Sequence, residues 1–148
     1  MSDKGCRDAR LRGKAGASRL GTTTTTTELG RAAEARALRH LEDAGLQLLA
    51  RNYRCRAGEI DLVMLEPQTR VLVLVEVRSR SRSDYGLAAA TISADKQRRS
   101  SLAARHLLLT RRELRQLRAR FDVVAIDPSP ETGGVPLVTW IRNAFELR

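Results

Sequence analysis

The chain has 148 residues, enough for one domain with a full core and too few for two comfortable ones. Its 27 Lys and Arg against 17 Asp and Glu give a formal charge of +10, a balance that favours a polyanionic partner, nucleic acid before an anionic membrane surface. The longest purely aliphatic run, Val71 to Val75, is far short of a membrane span, no apolar leader-like segment follows the N-terminus, and two cysteines (Cys6, Cys55) make neither a disulfide framework nor a zinc site. These features exclude a helical membrane protein and a disulfide scaffold, and they lead us to expect a cytoplasmic protein.

Residues 1–28 are rich in Gly, Ser and Arg and end in a run of threonines, Thr22 to Thr27. Such a segment has too little apolar surface to offset the cost of ordering, so a disordered basic arm is expected, with a single domain over 29–148. Order should begin near Gly30. RAAEARALRHLEDAG has helical spacing at Ala33, Ala37, Leu41 and Ala44, with Leu38 beside them, and Gly45 stops it. LQLLARNYR reads as a first strand with Asn52 close to its end. GEIDLVMLE and RVLVLVEVR read as a hairpin closed by a turn over 67–70. SRSDYGLAAATIS is a loop, a second helix runs from Ser93 to Leu109, and a polar, Arg-rich stretch follows. FDVVAI and LVTWI close the chain as strands separated by PSPETGGVP. The predicted order is α-β-β-β-α-β-β, an α/β fold.

The hairpin carries three acids among aliphatic neighbours: Glu59, Asp61 and Glu76. Alternation puts Glu59, Asp61 and Val63 on one face of the first strand, and Leu74, Glu76 and Arg78 on one face of the second. If 67–70 is the turn, Glu66 pairs with Val71, Asp61 faces Glu76, and Glu59 faces Arg78. Like charges facing each other are destabilising, so a cation should lie between Asp61 and Glu76. Glu34 runs beside the apolar stripe of the first helix, with Leu38 and Leu41, and can supply a third acid. Three oxygen donors suit Mg²⁺ or Mn²⁺. A salt-bridge network through neighbouring arginines is the competing reading.

Between Glu76 and Arg120 the chain holds 12 Lys or Arg against four acids, and Arg80, Arg82, Arg98 and Arg99 are candidates to grip a nucleic-acid backbone. An arginine-rich genome would produce the same bias. On the second helix Lys96 shares a face with Ser100, Ala103 and Leu107, and so can point toward the acids. Phosphate contact is its expected role, and Gln97 beside it is a weaker ligand-contact candidate. Asp122 is expected to pair with Arg120, Tyr85 to anchor its loop, and His40 and His106 carry no assigned chemistry.

NYRCRAGEIDLV, VLVLVEVRSR, YGLAAATISADKQRR and RFDVVAI, in that order, resemble the YraN family of endonuclease-like bacterial proteins, over about 30–145. That family is similar to PD-(D/E)xK nucleases, close to Holliday-junction resolvases. The resemblance implies an αβββαβ restriction-endonuclease-like core, a central mixed sheet flanked by helices, with an added C-terminal strand. It further implies Mg²⁺-dependent (or Mn²⁺-dependent) hydrolysis of phosphodiester bonds in DNA, branched DNA by analogy, and a homodimer. Carried over by position, Glu34, Asp61 and Glu76 become the metal-binding acids. The motif's lysine falls on Arg78, a departure. Arginine stays protonated, so it can stabilise developing charge but cannot act as a base. Lys96 is the natural substitute for the catalytic lysine. A catalytically degraded nucleic-acid-binding protein on the same fold is the alternative expectation.

Overall fold

A computed structural model describes residues 26–80 and 92–147. Helix α1 (Thr26–Asp43) precedes three strands, β1 (Gln47–Cys55), β2 (Gly58–Glu66) and β3 (Val71–Ser79). Helix α2 (Ala94–Thr110) follows, then a 3-10 turn at Arg112–Leu114, and strands β4 (Arg118–Asp127) and β5 (Leu137–Phe145). The order and the α/β class are those predicted. One expectation is corrected: α1 includes Thr26, Thr27 and Glu28, which the sequence assigns to the arm. Threonine costs a helix only about 0.7 kcal/mol at most, and Glu28 in the first turn complements the helix dipole. The remainder of the expected arm, 1–25, lies outside the described residues.

The five strands form one sheet in the order β1-β2-β3-β4-β5, antiparallel except for the parallel pair β3/β4. A parallel pair needs a crossover, and α2 supplies it. Each helix covers one face. Ala33, Ala37 and Leu41 of α1 pack on Leu62, Met64, Val73, Val75 and Val124. Ala103, Ala104 and Leu107 of α2 pack on Val63, Leu72, Leu74, Phe121 and Val123. With both faces covered, β3 is apolar on both sides from Leu72 to Val75, which is why its sequence runs without alternation.

The ends of the helices are set by local chemistry. Ser93 caps α2, its hydroxyl accepting the Lys96 N–H at 3.3 Å, and Arg115 folds back to donate to the carbonyls of Leu108 and Leu109. At the end of α1 the Leu46 N–H reaches the Leu41 carbonyl and the Gly45 N–H reaches Glu42, with Gly45 at φ +94°. This pairing requires a left-handed residue, and glycine takes that conformation without a Cβ penalty. Gly58 has a different reason to be glycine. A Cβ there would lie 2.4 Å from the Arg99 carbonyl oxygen, so the β1–β2 turn sits directly on the backbone of α2.

On the α1 face a charged network is buried. Arg120 Nη1 and Nη2 donate to Glu66 at 3.1 and 3.3 Å, and its Nε donates to Asp122 at 3.0 Å. Asp122, fully buried, also accepts from Trp140 Nε1 and from the Asn143 N–H, both at 2.9 Å. The expected Asp122–Arg120 pair is therefore present. The β4/β5 register shifts between Phe121 and Val123, and Asn143 takes φ +50° at that irregularity so that its N–H meets the buried carboxylate. The Arg120 hydrogen bond holds the Glu66 carboxyl below its ordinary range, with the Thr69 hydroxyl adding to the effect. Among the described residues, removing the fork would leave the fully buried Asp122 without a charged partner and Glu66 with only the 3.6 Å ion pair to Arg142. Arg120→Ala is expected to cost about 3–5 kcal/mol in urea unfolding. Arg142→Ala, which removes a 3.6 Å contact to Glu66 and an exposed guanidinium stacked 4.0 Å over the Trp140 ring, should cost less, about 1 kcal/mol.

Candidate active site

The 67–70 turn sets the β2/β3 register as predicted, from Glu66↔Val71 to Leu62↔Val75. The next step would place Asp61 against Glu76, but the ladder ends there. Asp61 Oδ2 instead accepts the Val77 N–H at 2.8 Å, a carboxylate standing where a strand carbonyl would be. The alternation breaks at the same place. Ile60 packs on the α2 side with Val63, while Leu62 and Met64 pack on the α1 side. The strands part at Asp61, and the predicted Glu59–Arg78 facing pair is replaced. Glu59 lies 3.4 Å from its cross-strand neighbour Arg54 and 3.8 Å from Lys96.

Asp61 and Glu76 both hold their protons more tightly than ordinary carboxylates. Burial, followed by the charge of Glu76 and a smaller contribution from Glu34, pushes Asp61 up to about 7, against the pull of the Val77 N–H and of Lys96. Burial also raises Glu76, with Glu59 adding, while Lys96 and Arg78 oppose the rise. Lys96 Nζ sits 3.1 Å from Glu76, so its turn of α2 does point at the acids. Glu34 comes from the opposite helix, and its Oε2 accepts from Asn52 Nδ2 at 3.1 Å. Asn52 takes φ +50° within β1, level with Asp61 between the pairs Arg51↔Leu62 and Tyr53↔Ile60. β1 continues to Cys55, so Asn52 lies inside the strand rather than near its end. Arg78 is exposed at the end of β3 and favours the charged form of Glu76.

The arginines expected to hold nucleic acid divide. Arg80 is engaged with Asp127, at 2.7 Å from Nε and 3.0 Å from Nη2. Arg98 and Arg99 pair with Asp95 on the exposed first turns of α2, at 3.1 and 3.2 Å. Arg82 and Tyr85 lie outside the described residues. Gln97 donates to the Ile92 carbonyl, within its own cap region. Two features escaped the sequence reading. Asn52 supports Glu34, and its signal was a poor strand former between strand residues. A pocket of about 320 Å³ also opens beside Lys96, lined by Arg54, Arg56, Glu59 and Arg99. Nothing local in the sequence announces it, because the turn and the helix that form it are distant in the chain.

Among the described residues, no three His, Cys, Asp or Glu side chains are gathered as a ready metal-ligand set, and no helix is long and apolar enough to cross a membrane. The donor chemistry at Asp61 nevertheless fits a hard divalent cation. Two half-buried carboxylates, with Glu34 in electrostatic reach of Asp61, present hard oxygen donors, and burial followed by the Glu76 charge raises the proton affinity of Asp61 against the pull of Lys96.

Comparison with known proteins places the chain. Residues 33–126 match the model of the Uncharacterised protein family UPF0102. The chain belongs to the UPF0102 (YraN) family. It is 48% identical to UPF0102 protein Reut_A3265 of Cupriavidus pinatubonensis over 84% of its own length and 90% of the relative's. A UPF0102 protein of Dechloromonas aromatica is 49% identical over 82% of this chain and 91% of its own, and one from Saccharophagus degradans is 48% identical over 81% and 94%. The matched segment of this UPF0102 protein begins within α1 at Ala33 and ends in β4 at Ile126, and it includes Glu34, Asp61, Glu76, Arg78 and Lys96.

The raised Asp61 fixes a pH dependence. Between about pH 4 and pH 7 the folded protein keeps a proton on Asp61 that the unfolded chain has released, so stability falls as pH rises through that window and levels off above it. Asp61→Asn keeps an oxygen for the Val77 N–H and removes the charge. Without divalent cations it is expected to melt roughly 5 °C above the wild type at pH 8, with the difference vanishing by about pH 4. Thermal melts of both proteins across that range check the sign.

Proposed function

We propose that this UPF0102 protein is a metal-dependent endonuclease that hydrolyses phosphodiester bonds in DNA. The observation that carries this reading is the meeting of Asp61 and Glu76, two half-buried carboxylates at the point where β2 and β3 part, with burial and the Glu76 charge raising the proton affinity of Asp61. Perturbed acids beside a basic side chain, here Lys96 at 3.1 Å from Glu76, are a common mark of a working site. Mg²⁺ or Mn²⁺ would be held by Asp61 and Glu76, with Glu34, and would supply a water activated at neutral pH and neutralisation of phosphoryl charge.

The chain's own residues do the rest. The Val77 N–H fixes the orientation of Asp61, and Asn52 fixes that of Glu34. Lys96, on α2, keeps its ammonium beside Glu76 and can donate from Nζ to a non-bridging phosphate oxygen. Arg78, exposed at the end of β3, can stabilise phosphate charge through its guanidinium fork but, as an arginine, is not suited to act as a base. The strongly basic balance of the chain supports a nucleic-acid substrate, and a branched one follows only from the family resemblance. The site's chemistry does not depend on that choice.

One observation favours a second reading. Lys96 already provides a counter-ion for Glu76 and Glu59, which suits a protein that binds nucleic acid on this fold without cutting it. Cleavage separates the two. With Mg²⁺ or Mn²⁺, the wild type should nick single-stranded, duplex or four-way branched DNA, and Asp61→Asn and Glu76→Gln should each lose at least roughly 100-fold in rate. Variants that cut as fast as the wild type would show that the activity does not belong to this site. A wild type that binds these substrates and cuts none of them would leave the binding reading.

A further inference from the structure

The pocket beside Lys96 is formed where the β1–β2 turn rests on α2, and the contact is close enough that Gly58 has no room for a side chain against the Arg99 carbonyl. Four cationic side chains, Arg54, Arg56, Lys96 and Arg99, line it against a single carboxylate, Glu59. Crowding like charges around a concavity is unfavourable in the empty protein, and a low-dielectric cleft concentrates the resulting field. The charge is not fully spent internally. Among the described residues no carboxylate pairs with exposed Arg56, and Arg99 is held only by exposed Asp95.

Two further features define what fits. The pocket is joined to the acids by a chain of ion pairs, from Arg54 to Glu59 at 3.4 Å, Glu59 to Lys96 at 3.8 Å, and Lys96 to Glu76 at 3.1 Å. Lys96 therefore belongs to the pocket and to the site at once. The lining is mostly polar and contains no aromatic ring, so it has no platform on which a base could stack. At about 320 Å³ it stands near the lower end of the range for small-ligand pockets, about 300–1,000 Å³. Arginine forks match phosphate oxygens.

We propose that this pocket is a phosphate-and-sugar subsite that grips the nucleic-acid strand next to the bond held at Asp61 and Glu76. The strand passes Lys96 and runs to Arg56 and Arg99, and recognition there is independent of base sequence. The inference rests on the nuclease reading for what the neighbouring acids do, but its binding arm needs neither metal nor cleavage.

The test is fluorescence anisotropy with a labelled single-stranded DNA 20-mer in EDTA, over a range of salt. The variant carries Arg54→Gln, Arg56→Gln and Arg99→Gln. Its control carries Arg70→Gln, Arg112→Gln and Arg118→Gln, an equal loss of charge at exposed positions, two of them at the other end of the sheet. The pocket variant should bind at least about tenfold more weakly than the wild type at 50 mM salt. Its log–log salt slope should fall by about two, because each single-strand phosphate contact contributes about 0.7. The control should change the affinity by less than about threefold, and two 20-mers of different sequence should give the same result. Equal losses in variant and control, or no loss in the pocket variant, overturn the subsite. If the pocket variant binds normally while Asp61→Asn abolishes cleavage, the subsite is wrong and the nuclease reading stands. If the pocket variant loses affinity while no protein cuts DNA, the subsite stands and the nuclease reading falls.

Discussion

The structure depends on the parting of β2 and β3 after Leu62↔Val75. Up to that pair the hairpin is an ordinary ladder within a two-sided core. Beyond it, β3 stays paired with β4, from Val71↔Arg118 as far as Ser79↔Ile126, while Asp61 offers a carboxylate oxygen to the Val77 N–H in place of a main-chain partner. Both acids remain half-buried at the mouth of the gap, where the charge of Glu76 adds to burial in raising the proton affinity of Asp61. The helices then reach this point from opposite faces, α1 with Glu34 and α2 with Lys96. Without the gap, Asp61 and Glu76 would be an unfavourable cross-strand pair and nothing more.

The protein contains its own control for this interpretation. Glu66, Asp122 and Arg120 are also acids and a base drawn into the fold, with Asp122 fully buried. There the arginine fork satisfies both carboxylates, Trp140 and the Asn143 N–H take the remaining lone pairs, and Glu66 is held below its ordinary proton affinity. That is how a structural network behaves when every charge has a partner. At Asp61 and Glu76 the direction is reversed: burial, with the charge of Glu76 acting on Asp61 and that of Glu59 on Glu76, outweighs the nearby cations, and both carboxylates are raised. A chain that compensates its acids in one place leaves Asp61 and Glu76 less fully compensated in another, and this contrast supports the proposed cation site.

Much of this was legible from residue order. Both helices, the five strands and the helix-ending Gly45 follow from periodicity and turn chemistry, and the register followed from the 67–70 turn, since a turn length fixes every cross-strand pair while the ladder lasts. The Glu59–Arg78 pair failed for the same reason, because counting assumes that the ladder continues. Lys96 could be placed on the inward face of α2 because Ser100, Ala103 and Leu107 share that face and are buried. What stayed hidden was non-local. The Arg80–Asp127 pair joins two strand ends distant in sequence, Asn52 required a left-handed backbone within a strand, and the basic pocket exists only because the β1–β2 turn lies on α2.

The central claim is that Asp61 and Glu76 form a cation site, and titration calorimetry with Mn²⁺ reads it without any assumption about substrate. At pH 8 the wild type should bind one ion. Affinity should fall as pH drops through about 7, where Asp61 takes up its proton, and binding should be lost in Asp61→Asn. No binding by the wild type, or an ion bound equally well by Asp61→Asn, would contradict the account.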